Sequence, residues 1–165
     1  MSRTTTKGRL GNQIIRNIAT SLLAEKSNLH VTYSSHELIS KLGINLFCGT
    51  NHYDVSICVH DHNYLSLYQQ PSINHNLGSV DAFFQTKEIS PLIYHYLHSD
   101  KVKENIMKKN PFHLRYQTNN DACVHLRLTD VAHLNPGSSY YLKTLSNITF
   151  DNLYLTTDDK DHHII

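Results

Sequence analysis

The spacing of apolar residues alternates between helical and strand periods along the chain. After Gly11, apolar residues recur every three or four positions and polar residues fill the other side, which predicts an amphipathic helix over 12–27. Residues 29–35 alternate β-branched and aromatic side chains with others and predict a strand, and 36–43 predict a short helix ended by a glycine. The apolar stripe consists of Ile14, Ile15, Ile18 and Leu22, and the polar side of Arg16, Asn17, Thr20, Ser21 and Glu25.

The middle of the chain carries weaker patterns. Residues 53–60 predict another short strand, whereas 61–82 contain Asn, Gln, Ser, Pro and Gly with little periodicity and predict loops around weak elements. Two helical patterns follow over 89–97 and 99–110. Ser99 is the expected N-cap of the second of these helices.

A strand, helix, strand pattern occupies the C-terminal part of the chain. Residues 121–130 alternate apolar and other side chains and predict a strand, a helix is predicted after Gly137, and 152–161 predict a strand that breaks into an acidic turn. The non-apolar face of the first strand carries Cys123, His125 and Arg127. This βαβ unit, together with strands interspersed with helices elsewhere, predicts an α/β fold with parallel sheets.

Composition is that of an ordinary soluble globular protein. The 165 residues carry a formal charge of +1, with 39% hydrophobic and 18% charged residues, so nonspecific binding of nucleic acid is not implied. No run approaches the ~20 apolar residues that a membrane helix requires, and the polar first residues contain no apolar signal region. We therefore expect a soluble, cytoplasmic protein without a transmembrane segment.

Cysteines and histidines are the residue types that can suggest a metal site. The three cysteines form no CxxC pair and lie among apolar or β-branched neighbours, so we expect buried free thiols. The 13 histidines include an HxH pattern at His60 and His62, but no HExxH or Cys-His spacing accompanies it, and we expect no metal. The cysteines are Cys48, Cys58 and Cys123.

A first candidate for chemistry is the motif "GRLGNQ" at 8–13. It is a glycine turn that opens the first helix, where backbone N–H groups and the helix dipole favour an anion such as phosphate. The alternative is an ordinary helix start that Gly8 and Gly11 shape. The preceding "SRTTTK" is a poor hydrophobic strand.

Two further candidate motifs, "HLRLTD" and "LTTDD", lie at the ends of the two C-terminal strands. His125 and Arg127 point the same way at a strand end, where open α/β sheets bind ligands, and a guanidinium matches phosphate oxygens bidentately. The alternative is an Arg127–Asp130 ion pair on a surface turn. Asp158 and Asp159 can accept hydrogen bonds from a guanine base or from ribose hydroxyls, or can simply form an acidic turn.

The joint occurrence of these motifs, in this order, resembles the α-1,2-fucosyltransferase family of glycosyltransferases. The likeness runs from Gly8 to Asp159 and includes "FFQ" at 83–85. The resemblance implies a GT-B fold, with 1–118 as a Rossmann-like acceptor-side domain and 119–165 as the first βαβ part of a GDP-fucose-binding domain. It also implies inverting transfer of fucose from GDP-fucose to a galactoside-type glycan acceptor, without a metal or another cofactor.

The same resemblance implies roles for individual residues. Arg127 is the expected catalytic residue, because a fixed cation on the diphosphate stabilises the charge of the departing GDP. Asp81 and Glu88 flank the "FFQ" stretch, and either is a candidate base for the acceptor hydroxyl, so the base stays unassigned. The expected donor-binding residues are Gly8, Gly11, Asn12, Gln13, His125, Arg127, Asp130, Thr157, Asp158 and Asp159.

Two departures from the family pattern bear on this expectation. Relatives carry a hydrophobic first strand before the glycine turn, where this chain has "SRTTTK", and they continue well past the "DD" motif, whereas this sequence ends at Ile165. The expected GDP-fucose-binding domain is therefore incomplete. The alternative function is a truncated, noncatalytic remnant that binds a sugar or a nucleotide.

Overall fold

A computed structural model of the chain describes residues 1–115 and 118–162. This part of the chain is a mixed α/β fold with six α-helices, and its small sheets are parallel throughout, as predicted. The chain divides into two compact units, Met1–Pro111 and a second unit that begins at Phe112. Residues 163–165 of the predicted second domain lie outside the described residues, and its boundary at 118/119 stays a prediction.

The first unit contains the longest helix and the three-stranded sheet. Its elements are β1 (Ser2–Thr4), α1 (Leu10–Glu25), β2 (Val31–Thr32), α2 (His36–Lys41), β3 (Ser56–Ile57), α3 (Asp61–Gln69), β4 (Asn76–Leu77), β5 (Ser79–Val80), α4 (Ser90–His98) and α5 (Asp100–Lys109). β1 is the central strand of the three-stranded sheet, whose order is β2-β1-β5, and β3 pairs with β4 in a second, two-stranded sheet. The helices predicted near 12–27, 36–43, 89–97 and 99–110 are present as α1, α2, α4 and α5.

The polar side predicted for α1 is largely buried, which corrects the amphipathic pattern. Arg16, Asn17, Thr20 and Ser21 are at most 3% exposed, because α1 contacts β1, α3 and α4 and is covered on more than one side. Most of their polar atoms bond to backbone groups, although the buried side-chain oxygen of Asn17 has no hydrogen-bond partner among the described residues. The Asn17 amide donates to the Ser34 carbonyl at 2.6 Å, for example. Backbone partners of this kind remove most of the cost of burying a polar side chain.

The poor hydrophobic strand "SRTTTK" nevertheless contains the central strand β1. Ser2 and Thr4 face inward, and their hydroxyl oxygens accept backbone N–H bonds from Leu77 at 2.9 Å and Ser34 at 2.8 Å. Each hydroxyl thus fills a core position while linking β1 to a neighbouring segment. The strand forms in spite of its composition because these bonds satisfy its buried polar groups.

Residues 61–82, predicted as loops around weak elements, contain the nine-residue helix α3 as well as the short strands β4 and β5. Asn63 in the first turn of α3 accepts the His60 N–H through its side-chain oxygen at 2.7 Å, which stabilises the start of the helix. Tyr64 and Leu67 form its buried face, and the Tyr64 hydroxyl donates to the Ala19 carbonyl at 2.9 Å. Burial raises the pKa of the Tyr64 hydroxyl. The helical spacing of these residues was obscured by the polar residues around them.

The second unit contains the predicted βαβ motif. Its elements are β6 (Ala122–Leu126), α6 (Ser138–Leu145) and β7 (Leu153–Thr157). β6 and β7 pair in parallel over five residues each, and Leu126 and Leu128 are buried on the apolar face that the alternation predicted. The carboxyl ends of both strands therefore meet at one edge, with His125 directly opposite Thr156.

The expected burial of the cysteines is wrong, whereas the expected N-cap position of α5 is confirmed. Cys48, Cys58 and Cys123 are free, as expected, but exposed, because neighbouring apolar residues take the buried positions: Val59 is buried beside Cys58, and Leu126 is buried on the face of β6 opposite to Cys123. Ser99 is the N-cap residue of α5, as predicted, although its hydroxyl donates to the Tyr96 carbonyl at 2.7 Å and makes no cap bond in α5. Across 1–115 and 118–162, no helix has both the length and the apolar character that crossing a membrane requires.

Candidate functional site

The carboxyl edge of the three-stranded sheet carries the first group of candidate residues. β1 has parallel partners on both sides, so the loops that follow β1 and β5 leave the sheet side by side. We call residues 5–9 and 81–85 the edge loops. In open α/β sheets, ligands bind at the carboxyl ends of strands whose connections diverge in this way.

The two glycines of the turn have different structural requirements. Gly8 has φ +83°, and a Cβ atom there would lie 2.7 Å from the Asn12 side-chain nitrogen, so the turn itself requires a glycine. Gly11 lies exposed in the first turn of α1, and a Cβ atom there would meet no described atom within 4 Å. The chain's own packing thus explains Gly8 but leaves open space at Gly11.

The N-terminus of α1 is suited to an anion. The side chain of the N-cap residue, Arg9, makes no cap hydrogen bond, and the first turn contains no acidic residue. The first N–H groups of a helix have no partner within the helix, and its dipole adds positive potential there. The first turn of α1 can therefore bind a phosphate or another anion.

The adjacent side chains of Asn12 and Gln13 bond to different parts of the first unit. Gln13 is buried: its amide nitrogen donates to the carbonyls of Gly8 at 2.8 Å and Thr6 at 3.2 Å, and its oxygen accepts from the Ser35 hydroxyl at 2.6 Å. These hydrogen bonds fix the conformation of the glycine turn, so Gln13 has a structural role at the site. The Asn12 side-chain oxygen instead accepts from the Gln85 amide at 2.8 Å.

Arg16 holds the two edge loops together, and sequence reasoning missed it. Arg16 is 0% exposed, although the helical spacing of the apolar residues placed it on the polar side of α1. Burial lowers the pKa of Arg16, and the charge of Asp81 partly opposes this effect. The guanidinium donates to carbonyls in both loops, namely those of Thr5 at 3.0 Å, Lys7 at 2.8 Å, Asp81 at 3.3 Å and Ala82 at 2.9 Å.

An aromatic ring and an ion pair complete this edge. Phe83 is 36% exposed, and its ring centroid lies 5.5 Å from the Arg16 guanidinium carbon and 5.7 Å from the Lys7 ammonium. Lys7 also pairs with the Asp81 carboxylate at 3.7 Å, with both side chains about half exposed. The edge therefore offers cationic, anionic, amide and aromatic groups within two short loops.

The second group of candidates lies in the second unit, at the carboxyl edge of β6 and β7. Arg127 is exposed and makes a bidentate pair with Asp130, with Nε to Oδ1 at 2.9 Å and Nη2 to Oδ2 at 2.6 Å. The hydrogen bond to Asp130 raises the pKa of Arg127. The surface ion pair that the sequence left open as an alternative is thus present. His125 is exposed one strand position before Leu126.

The acidic residues after β7 form hydrogen bonds with the loops at the ends of β6 and β7. Asp158 accepts the Leu128 N–H at 2.7 Å and the Thr129 hydroxyl at 2.7 Å, so it fixes the loop that carries Arg127. The Thr157 hydroxyl accepts the Asp159 N–H at 3.0 Å and closes a tight turn. These contacts give Asp158 a structural role whether or not a nucleoside binds nearby.

The predicted residues thus gather in two groups, one in each unit. Gly8, Gly11, Asn12 and Gln13 come together with the "FFQ" segment, which lies far away in sequence. His125, Arg127, Asp130, Thr157, Asp158 and Asp159 lie at the ends of the two paired strands of the second unit. In the described part of the chain, no group of three or more His, Cys, Asp or Glu residues could hold a metal ion.

No family model, curated protein or solved structure matches this chain. Function is therefore inferred from the residues themselves and from the geometry of the two sheet edges.

Proposed function

We propose that this chain binds GDP-fucose and transfers its fucosyl group to a hydroxyl of a galactoside-type glycan, with inversion. The observation that carries the proposal is the hydrogen bond between Asn12 and Gln85, which are 73 residues apart in the chain. It joins the glycine turn to the "FFQ" segment, two motifs in which the chain resembles α-1,2-fucosyltransferases. Their meeting at a sheet edge suited to ligands supports a shared ligand.

In this proposal, the first turn of α1 receives the sugar end and the diphosphate of the donor. The open space at Gly11 allows close approach of the ligand to the helix backbone. The first N–H groups of α1, which the Arg9 side chain does not cap, and the helix dipole favour the negative charge of the diphosphate. Asn12 supplies an amide for the sugar hydroxyls, and its bond to Gln85 fixes that amide in place.

His125 and Arg127 are proposed to bind phosphate oxygens at the carboxyl edge of β6 and β7, and a GT-B fold built from Rossmann-type domains is part of the same proposal. The pair with Asp130 occupies Nε and Nη2 of the guanidinium, that is, two of its five N–H donors. Asp130 thereby orients the planar group, and the other N–H donors form the proposed phosphate-binding edge. Arg127 is the catalytic residue of this proposal, because GDP gains charge as the bond from its β-phosphate oxygen to fucose breaks.

A noncatalytic module that binds a sugar nucleotide is the second candidate function. The hydrogen bonds within the second group of residues favour this candidate. Arg127 pairs with Asp130, and both carboxylate oxygens of Asp158 accept hydrogen bonds from the protein itself. This candidate keeps nucleotide binding and predicts no transfer. Activity measurements separate it from the first.

The test combines calorimetric titration of GDP and GDP-fucose with chromatographic detection of GDP and fucosylated product after incubation with a galactoside. We expect binding, and GDP release that depends on the galactoside. Binding without transfer would favour the noncatalytic module. Absence of binding for both ligands would contradict both candidates.

The matched variants for this test are Asn12→Ala and Asn74→Ala. Asn74 is exposed in a loop of the same unit, away from the edge loops in sequence. We expect Asn12→Ala to impair turnover with little change in thermal unfolding, and Asn74→Ala to behave like the parent chain. A large loss of thermal stability in Asn12→Ala alone would assign Asn12 to the fold and not to the site.

A further inference from the structure

The carboxylates of the first unit differ in their access to the proposed site. Asp81 follows β5 directly, within the edge loop 81–85, and its side chain is 48% exposed. Glu88, the other candidate base in the sequence, lies in the segment that turns into α4, where the Ser90 N–H bonds to the Thr86 carbonyl at 3.0 Å. Only the first of these two carboxylates lies in an edge loop.

Contacts across the edge distinguish Asp81 further. Its carboxylate lies 3.7 Å from the Lys7 ammonium in the other edge loop, and its backbone carbonyl accepts a bond from Arg16 at 3.3 Å. Asp61, the next nearby carboxylate, already accepts the Phe84 N–H at 2.7 Å and so holds the loop in shape. Asp81 is thus anchored by its backbone while its carboxylate remains accessible.

The neighbouring ring suits a sugar. Phe83 is partly exposed two residues after Asp81, and a sugar presents an apolar C–H face beside its hydroxyl groups. An aromatic surface next to a carboxylate can therefore bind the face of an acceptor sugar and one of its hydroxyls together. Gln85 extends the same loop toward Asn12.

From this geometry we infer that Asp81 is the general base that takes the proton from the acceptor hydroxyl, an assignment that rests on the proposed fucosyl transfer. The acceptor oxygen forms a bond to C1 of fucose while the bond from C1 to the GDP oxygen breaks, and GDP leaves with that electron pair. The acceptor proton moves to an Asp81 carboxylate oxygen. Lys7 holds the carboxylate at the edge as a positioning residue.

The test compares Asp81→Asn with the matched variant Glu88→Gln, using GDP-fucose and a galactoside. We expect Asp81→Asn to lower kcat for transfer by about 100-fold or more, the usual range for loss of a general base, with GDP affinity by calorimetry nearly unchanged. Glu88→Gln should leave both the kcat for transfer and the GDP affinity unchanged. Equal transfer by Asp81→Asn and the parent chain, or a matching loss of GDP affinity, would overturn the inference.

A second nucleophile separates a base from a structural residue. Azide needs no deprotonation, so the parent chain and Asp81→Asn should form fucosyl azide from GDP-fucose at similar rates. A loss of azide transfer as large as the loss of galactoside transfer would overturn the inference. If the parent chain neither binds GDP nor transfers fucose, the proposed function itself fails. If the parent chain is active and Asp81→Asn is equally active, only the assignment of Asp81 as the base fails.

Discussion

The two units of this chain build their candidate residues into the fold in different ways. In the first unit, Arg16 and Asn12 bond to partners 66 and 73 residues away, around a core of fully buried side chains. In the second unit, Arg127 pairs with a residue three positions along, and Leu126 and Leu128 are the buried hydrophobic residues of its described part. A site held by long-range hydrogen bonds is preformed, and substitutions in it should lower the free energy of unfolding. An exposed local ion pair can be substituted with little effect on the free energy of unfolding.

The largest expected effect is that of Arg16→Met. The substitution leaves four backbone carbonyls of the edge loops without their donor, and we expect the free energy of unfolding to fall by about 3–5 kcal/mol. Urea denaturation checks this value. Arg16→Lys should recover part of the loss because it keeps the charge and some of the bonds.

Arg3→Met serves as the control for Arg16, because Arg3 is exposed on β1. We expect it to change the unfolding free energy by less than about 0.5 kcal/mol. If the two methionine variants were equally stable, the edge loops would not depend on Arg16, and the contrast between the units would lose its main support.

Gln13→Ala should have the next largest effect. The buried amide satisfies two carbonyls and one hydroxyl of the turn, so its removal should lower the unfolding free energy by about 1–3 kcal/mol. The same urea experiment measures it. Asn12→Ala, one residue earlier, should lower the unfolding free energy clearly less than Gln13→Ala does. A larger loss for Asn12→Ala would show that Asn12, and not Gln13, is the structural amide of the turn.

Arg127→Lys tests the second unit. The substitution keeps the charge but loses the planar fork, so we expect GDP affinity to fall at least about tenfold in calorimetry. The urea midpoint should stay the same, because the pair with Asp130 is exposed. Unchanged affinity would remove Arg127 from the site.

Gly11→Ala should make the protein slightly more stable. A methyl group at this position meets open space, and alanine favours the helix, so the unfolding free energy should rise by about 0.5 kcal/mol. GDP binding should weaken because the methyl group enters the proposed ligand space. Gly8→Ala is the contrasting control, and its positive φ predicts destabilisation. Unaltered GDP binding in Gly11→Ala would place the ligand elsewhere.

Local patterns carried most of what the sequence could predict. The helices α1, α4 and α6 and the βαβ motif follow from apolar spacing and chain order, which depend on near neighbours. β1 could not be predicted in the same way, since the partner of the buried Ser2 hydroxyl is the Leu77 N–H, far along the chain. Long-range backbone partners leave no local pattern.

The candidate site follows the same division. The glycine turn and the strand-end arginine could be located as motifs, and the Arg127–Asp130 pair was one of two open alternatives. The internal role of Gln13 and the loop contacts of Asp158 could not be read from spacing, because each depends on which backbone groups lie opposite. Arg16 gave no signal, since an arginine on the polar side of a helix usually lies in solvent.

The most direct test of the central claim is hydrogen exchange measured by mass spectrometry, with and without saturating GDP-fucose. The account predicts slower exchange in peptides that cover residues 5–13 and in those that cover 81–85, because one ligand contacts the two joined motifs. Unchanged exchange in both segments under saturating donor, with protection elsewhere or nowhere, would contradict it.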